Sequence, residues 1–183
     1  MIRIIDLAAD DAQVVEQTAA LVNAVFQPVA WPTLPEAHEE IAEMLVSERF
    51  LRIAIDAAAA NAVIGMIGGI PHYGGRVWEL HLLAVRADYR GAGLGRMLVQ
   101  DFEAQVKARD GLTITLGTDD EEDRTSLSNN DLYENLWDKV VHIRNLKRHP
   151  YEFYQKMGYV ITGVVPDANG WGKPDILMSK RVI

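Results

Sequence analysis

The sequence predicts an α/β fold, a mixed, mostly antiparallel sheet of about seven strands flanked by helices on both faces. Three observations carry that expectation. Segments of strand character at residues 1–7, 51–56, 63–71, 78–85, 112–116, 159–165 and 176–182 are interspersed with segments whose apolar residues recur at helical spacing. Short turns rich in Ala, Gly or Asn join several successive strands, as antiparallel neighbours require. Between 78–85 and 112–116, however, lies a helix, and a strand pair joined by a helical crossover is parallel. With 183 residues, 49% of them hydrophobic and 24% charged, the chain has the size and balance of a single domain over 1–183 with a proper core. No internal repeat or low-complexity linker marks a boundary.

The elements follow in order. Residues 1–7 form a short strand, and Asp10 or Asp11 caps a helix whose stripe is Val14, Val15, Thr18, Leu21, Val22, Val25 and Phe26. Pro28, Pro32 and Pro35 interrupt helix formation and hold Trp31 in a loop, after which Ile41, Met44 and Leu45 mark a second helix. Trp31 is either a core plug or an amphipathic wall of a substrate site. Strands 51–56 and 63–71 pair across an alanine-rich turn, and Gly74-Gly75 turns the chain into the next strand. That strand, 78–85, is mostly apolar, as a strand buried on both faces is, and its periodicity sets Glu79, His81 and Leu83 against Trp78, Leu80 and Leu82. A helix from Leu94 to about Arg109 ends at Asp110-Gly111. After strand 112–116 come a helix over about 131–144 and a short helix opened by Pro150 and closed by Gly158. The last two strands are joined by a turn over 166–170.

Composition excludes several classes. The chain has no cysteine and five histidines without paired ligand spacing, which leaves neither a disulfide framework nor a thiolate metal site, and no metal is expected. An acidic residue at position 6 comes too early for a signal peptide and no apolar run approaches a membrane span, so a cytoplasmic protein is expected, with no membrane partner. A net charge of -8 and a pI near 5.1 oppose nonspecific nucleic-acid binding and favour a cationic small molecule.

The densest motif lies where strand 78–85 passes into the following helix through Gly91, Gly93 and Gly95. A helix start offers backbone N–H groups without partners, and glycines let an anion approach them. No lysine follows these glycines, so a Walker A loop is excluded, and Arg96 stands where a dinucleotide fingerprint needs its third glycine. What remains is R-x-x-G-x-G at Arg90, Gly93 and Gly95, or a glycine-rich turn that only eases packing.

Other residues suit acyl transfer to an amine, which needs a route for the ammonium proton, a donor for the thioester oxygen and an acid for the thiolate. Glu79 is either a structural ion-pair partner or a base, and His81 either a hydrogen-bonded core residue or a catalytic one that shares the proton transfer or holds the substrate. Five carboxylates at 119–123 end a strand at the edge where open α/β sheets bind ligands. Asp119 and Asp120, nearest the strand, are candidates for contacting a cation, and the other three read as a solvated run. Tyr154 packs one turn from Tyr151 or serves as the acid.

The R-x-x-G-x-G loop resembles the acyl-CoA pyrophosphate loop of the GNAT superfamily. The stretches WELH at 78–81, LGTDD at 116–120, DLYE at 131–134, HPYEFY at 149–154 and NGW at 169–171 resemble aminoglycoside 6'-N-acetyltransferases of the long-chain type, from about Ile67 onward. The resemblance implies the GNAT acyl-CoA N-acyltransferase fold, acetyl-CoA as cosubstrate, an aminoglycoside as the cationic partner, and a homodimer. It implies that Glu79 is the base, that the Leu83 N–H faces the thioester carbonyl, and that Tyr154 lies beside the CoA sulfur. With it, CoA is expected along Leu83, Ala84 and Val85 and over Arg90, Gly91, Ala92, Gly93, Leu94, Gly95 and Arg96, and the residue-by-residue reading adds substrate near Trp31, Glu79, His81, Asp119 and Asp120. One departure is Leu82, where the family pattern has proline. Acetyl transfer to polyamines or protein lysines, and a CoA-binding module without turnover, are the alternatives.

Overall fold

The computed structural model describes residues 1–46 and 48–183. The chain divides into two compact units, one comprising Met1–Ile114 with Val182–Ile183 and the other Thr115–Arg181.

In the first unit, β1 (Ile2–Asp6), β2 (Phe50–Asp56), β3 (Ala62–His72) and β4 (Val77–Val85) form an antiparallel meander. Helix α1 (Ala12–Phe26) is capped by Asp11, whose carboxylate accepts from the Val14 N–H at 3.2 Å. Helix α2 spans Leu34–Met44. Its Thr33 and Glu36 cap each other's backbone N–H groups, and Pro35 lies in the first turn, where its missing N–H costs nothing. Pro35 thus starts this helix and does not interrupt it. The stripes of α1 and α2 bury Leu21, Val22, Ile41 and Met44 with Ile53 and Met66 of the sheet. On α3 (Leu94–Ala108), Leu94, Leu98, Val99, Phe102 and Val106 are buried, and the Phe102 ring lies 5.1 Å from that of Phe50. A side chain at Gly69 would meet both phenylalanine rings within 3.0 Å, which explains the absence of a Cβ there.

Strand β4 departs from the expected double burial. Its residues alternate between half-buried and buried along the whole length, and the register jumps, Ile67 facing Leu83 but Gly68 facing His81. Leu82 is the extra residue of a β-bulge, at φ 63. It packs in the same cluster as α1 and α2, towards which His81 also reaches through Glu40. The bulge therefore corrects the face assignment: Leu82 joins His81's side and does not oppose it. A proline, with φ locked near −65°, cannot take this conformation.

The second unit holds most of β5 (Thr113–Asp119), followed by α4 (Leu136–Val141), α5 (Tyr151–Lys156), and the antiparallel pair β6 (Val160–Val165) and β7 (Asp175–Arg181). The strand order is β1-β2-β3-β4-β5-β7-β6, a seven-stranded, mostly antiparallel sheet with one parallel pair. The helix expected over 131–144 is shorter than its pattern suggested. Asp131 accepts from the Tyr133 N–H at 2.9 Å in a local turn, and Asn135 sits at φ 54, so regular helix begins only at Leu136. Gly158, at φ 89, follows α5 as the expected stop.

Candidate active site

In the first unit four ionisable side chains form a chain of contacts. His81 Nε2 lies 3.0 Å from Glu40 Oε1 of α2, and His81 Nδ1 lies 3.5 Å from Glu79 Oε1. The other oxygen of Glu79 is 2.9 Å from Nε2 of His72, at the end of β3. Glu40 and the neighbouring Glu79 hold the His81 imidazole up at about 9 against the opposing effect of burial. In return, hydrogen bonding to His81 brings Glu79 down to about 2, although burial opposes it, with His72 adding to the effect. At neutral pH the set is thus an imidazolium between two carboxylates. The Trp31 ring stands edge-on to His81 at 6.5 Å and edge-on to Phe26 at 5.4 Å. Half-buried, Trp31 has one edge in the core and one beside an ionisable ring.

Beyond the bulge, Leu83, Ala84 and Val85 pair with Ile67, Met66 and Gly65. The chain then passes through a short 3₁₀ turn, Ala87–Tyr89, into the glycine loop. Gly91 and Gly93 take φ 79 and 89, and a Cβ on either would project into open space. Gly93 is the N-cap of α3 and contributes no side chain to it, so backbone N–H groups of the first turn have no side-chain cap. Arg90 folds back to donate to the Val85 carbonyl at 3.1 Å, while Arg96 is exposed. A conformation that glycine adopts freely, uncrowded space and the positive end of a 15-residue helix fit an anionic group.

In the second unit Tyr154 is 8% exposed, edge-on to Phe153 at 5.1 Å and to Tyr159 at 5.7 Å, and burial pushes its phenol well above the usual tyrosine range. Asp119 is exposed and accepts from Asn169 Nδ2 at 2.5 Å. Asp120 is different. It is fully buried, and its two oxygens accept from the Arg124 N–H at 2.6 Å, the Thr125 N–H at 2.8 Å and the Ser128 hydroxyl at 2.5 Å. Burial alone would raise its pKa, but these donors together lower it. Asp120 therefore closes the 120–128 turn, with its carboxylate engaged by three local donors. His149, also buried, donates from Nε2 to the Asp119 carbonyl at 3.1 Å and accepts at Nδ1 from the Tyr151 N–H at 3.2 Å. Burial lowers its pKa and keeps it neutral.

Residues 17–136 match the model of the acetyltransferase (GNAT) family. The chain belongs to the GNAT acetyltransferase family. Among solved structures, this GNAT acetyltransferase is similar to an aminoglycoside 6'-N-acetyltransferase complexed with coenzyme A, with 42% identity, 99% of this chain and 97% of that one covered, and a TM-score of 0.92. The aminoglycoside 6'-N-acetyltransferase from Enterococcus faecium shares 42% identity over the same shares of both chains, at a TM-score of 0.90. An aminoglycoside 6'-acetyltransferase type Ii shares 35% identity over 99% of this chain and 97% of its own, at 0.74. No curated protein matches the chain. No group of three or more side chains able to hold a metal occurs among the described residues, and no helix among them is long and apolar enough to cross a membrane.

Sequence reasoning about this GNAT acetyltransferase missed Glu40 and His72. Glu40 stands one residue before Ile41 on α2, a polar position bordering the apolar stripe, and only the packing of α2 on β4 brings it to His81. His72 could have been found, because it precedes the Gly74-Gly75 turn and a hairpin sets it near Glu79.

Proposed function

We propose that this chain transfers acetyl from acetyl-CoA to the 6'-amino group of aminoglycoside antibiotics and so confers resistance to them. The observation that carries the reading is the 42% identity over 99% of the chain to two aminoglycoside 6'-N-acetyltransferases, one of them complexed with coenzyme A. Acetyl-CoA supplies an activated acetyl thioester. The loop 90–96 holds its pyrophosphate through backbone N–H groups, and the backbone of Leu83, Ala84 and Val85 lies along the rest of the cofactor. The Leu83 N–H, immediately after the bulge, donates to the thioester carbonyl as charge develops there.

Glu79 receives the substrate ammonium. With its pKa near 2 it is a strong anchor for a cation and a weak base, so the ammonium proton leaves through water ordered by the carboxylate and does not settle on Glu79 itself. Tyr154, held neutral, donates to the departing thiolate. Trp31, His81 and the exposed carboxylate of Asp119 contact the aminoglycoside. Acetylation removes a positive charge that the drug needs for binding RNA. A homodimer in the cytoplasm belongs to the same reading.

Thiol release from acetyl-CoA, followed across aminoglycosides, polyamines and lysine peptides, tests it. We expect release with aminoglycosides that carry a 6'-amine and none with 6'-hydroxyl analogues. A preference for polyamines or peptides would move the assignment to those amines, and CoA binding without release on any acceptor would make the chain a binding module.

A further inference from the structure

We propose that Glu40 is a positioning residue for acetyl transfer: from α2 it anchors the His81 ring at Nε2 and keeps it an imidazolium, an ion-pair partner that together with His72 holds Glu79 as an anion in one orientation. The inference rests on the proposed reaction at Glu79, and its physical basis is geometric. His81 Nε2 is 3.0 Å from Glu40 and Nδ1 is 3.5 Å from Glu79. A neutral imidazole has a single N–H, so one carboxylate would then face a nitrogen lone pair, a repulsive arrangement. Two carboxylates on opposite nitrogens favour the imidazolium. Glu40 is also the better sheltered of the two, its side chain 13% exposed against 36% for Glu79, so its charge is less screened by water.

The groups facing His81 are few. Glu40 comes from α2 and Glu79 from β4 itself, and His72 at the end of β3 acts on the ring through the second oxygen of Glu79. The Trp31 edge closes one side without charge. The raised pKa of His81, near 9, agrees with this arrangement. Glu79 is therefore hydrogen-bonded at one oxygen by His72 at 2.9 Å and ion-paired at the other with His81 at 3.5 Å, and His81 is fixed in turn by a residue that need not touch the substrate. Without the Glu40 charge, His81 loses its second proton at lower pH. Its ring then has one N–H to share between a glutamine and Glu79, and the carboxylate keeps only its His72 contact.

Histidine ring resonances of the full-length protein, with His81 assigned by the signal lost in His81→Asn, give the first test. Wild-type His81 should titrate near pH 9, and in Glu40→Gln its midpoint should fall by at least about one pH unit. Glu40→Asp, which keeps the charge, should recover part of the difference. The second readout is the pH profile of kcat/KM. Its alkaline limb should move to lower pH in Glu40→Gln, while at low pH, where His81 is protonated in both proteins, the two should turn over alike. The substrate's own ionisation is common to both profiles and cancels. A wild-type His81 midpoint at the ordinary value of about 6.5, an unchanged midpoint in Glu40→Gln, or a loss of activity equal at every pH would each overturn the proposal. Absence of aminoglycoside turnover would overturn the functional reading, and the ring titration would still decide the role of Glu40.

Discussion

The Tyr154 phenol is held neutral by burial, so in the proposed reaction it can only donate a hydrogen bond or a proton. The help required is modest, because a free thiol has a pKa of about 8.5 and is only a moderately poor leaving group at neutral pH. We expect Tyr154→Phe to slow single-turnover acetyl transfer by about tenfold to a hundredfold, about 1.4–2.7 kcal/mol, with folding preserved. Steady-state rates would understate the loss where product release limits turnover. Glu79→Gln should impair aminoglycoside turnover while calorimetry finds CoA affinity nearly unchanged, since in the proposed reaction that carboxylate faces the acceptor and not CoA. Half-buried His81 and buried His149 shape the pH dependence of stability in opposite directions. His81 has its pKa raised from 6.5 to about 9, so its contribution is fully present below 6.5 and lost as pH rises through 9. His149 has its pKa lowered by burial, so its contribution is present above 6.5 and lost as pH falls from there, where the unfolded chain takes up a proton first. Urea unfolding across the pH range should show both falls, and His81→Gln should flatten the alkaline one alone.

Among the elements, the glycine loop carries the sharpest expectation. Gly93 sits at φ 89 with open space where a Cβ would stand. Valine there is strained by its β-branch and fills the approach to the first N–H groups of α3, whereas Arg96 contributes an exposed, screened charge. Calorimetric titration should therefore show Gly93→Val weakening CoA binding far more than Arg96→Ala, and equal small losses would refute a backbone-held pyrophosphate. The start of α3 was legible because its glycines and its apolar stripe are both local signals. The bulge in β4 was not: nothing about a leucine announces φ 63, and the face assignment around it slipped for that reason. Helix α4 was overextended because apolar spacing continues through 131–135, where Asp131 and Asn135 take up turn conformations instead. Asp120 is legible only in part. A carboxylate at a strand end reads the same whether it faces water or closes a turn, and only the donors of Arg124, Thr125 and Ser128 distinguish the two.

At the scale of the whole molecule, seven strands, the long helices α1 and α3, and the family itself could be read from periodicity and a few short motifs, because each depends on neighbours in sequence. Glu40 could not, because its partner lies 41 residues away and no motif links them. The net charge of -8 is a property of the entire chain, and it gives a polycationic acceptor a long-range attraction that salt screens. Raising ionic strength past about 0.1 M, where the screening length is about 10 Å, should raise KM for an aminoglycoside and leave kcat level. A KM indifferent to salt would mean that recognition is confined to short-range contacts. Trp31 is one of four tryptophans, and its indole stands edge-on to the His81 ring at 6.5 Å. A protonated imidazole quenches indole emission more strongly than a neutral one, so the molecule carries its own fluorescent gauge of the charge between Glu40 and Glu79. The emission missing from Trp31→Phe should brighten as the pH passes 9, reporting without any label when the ion pair with Glu79 is lost.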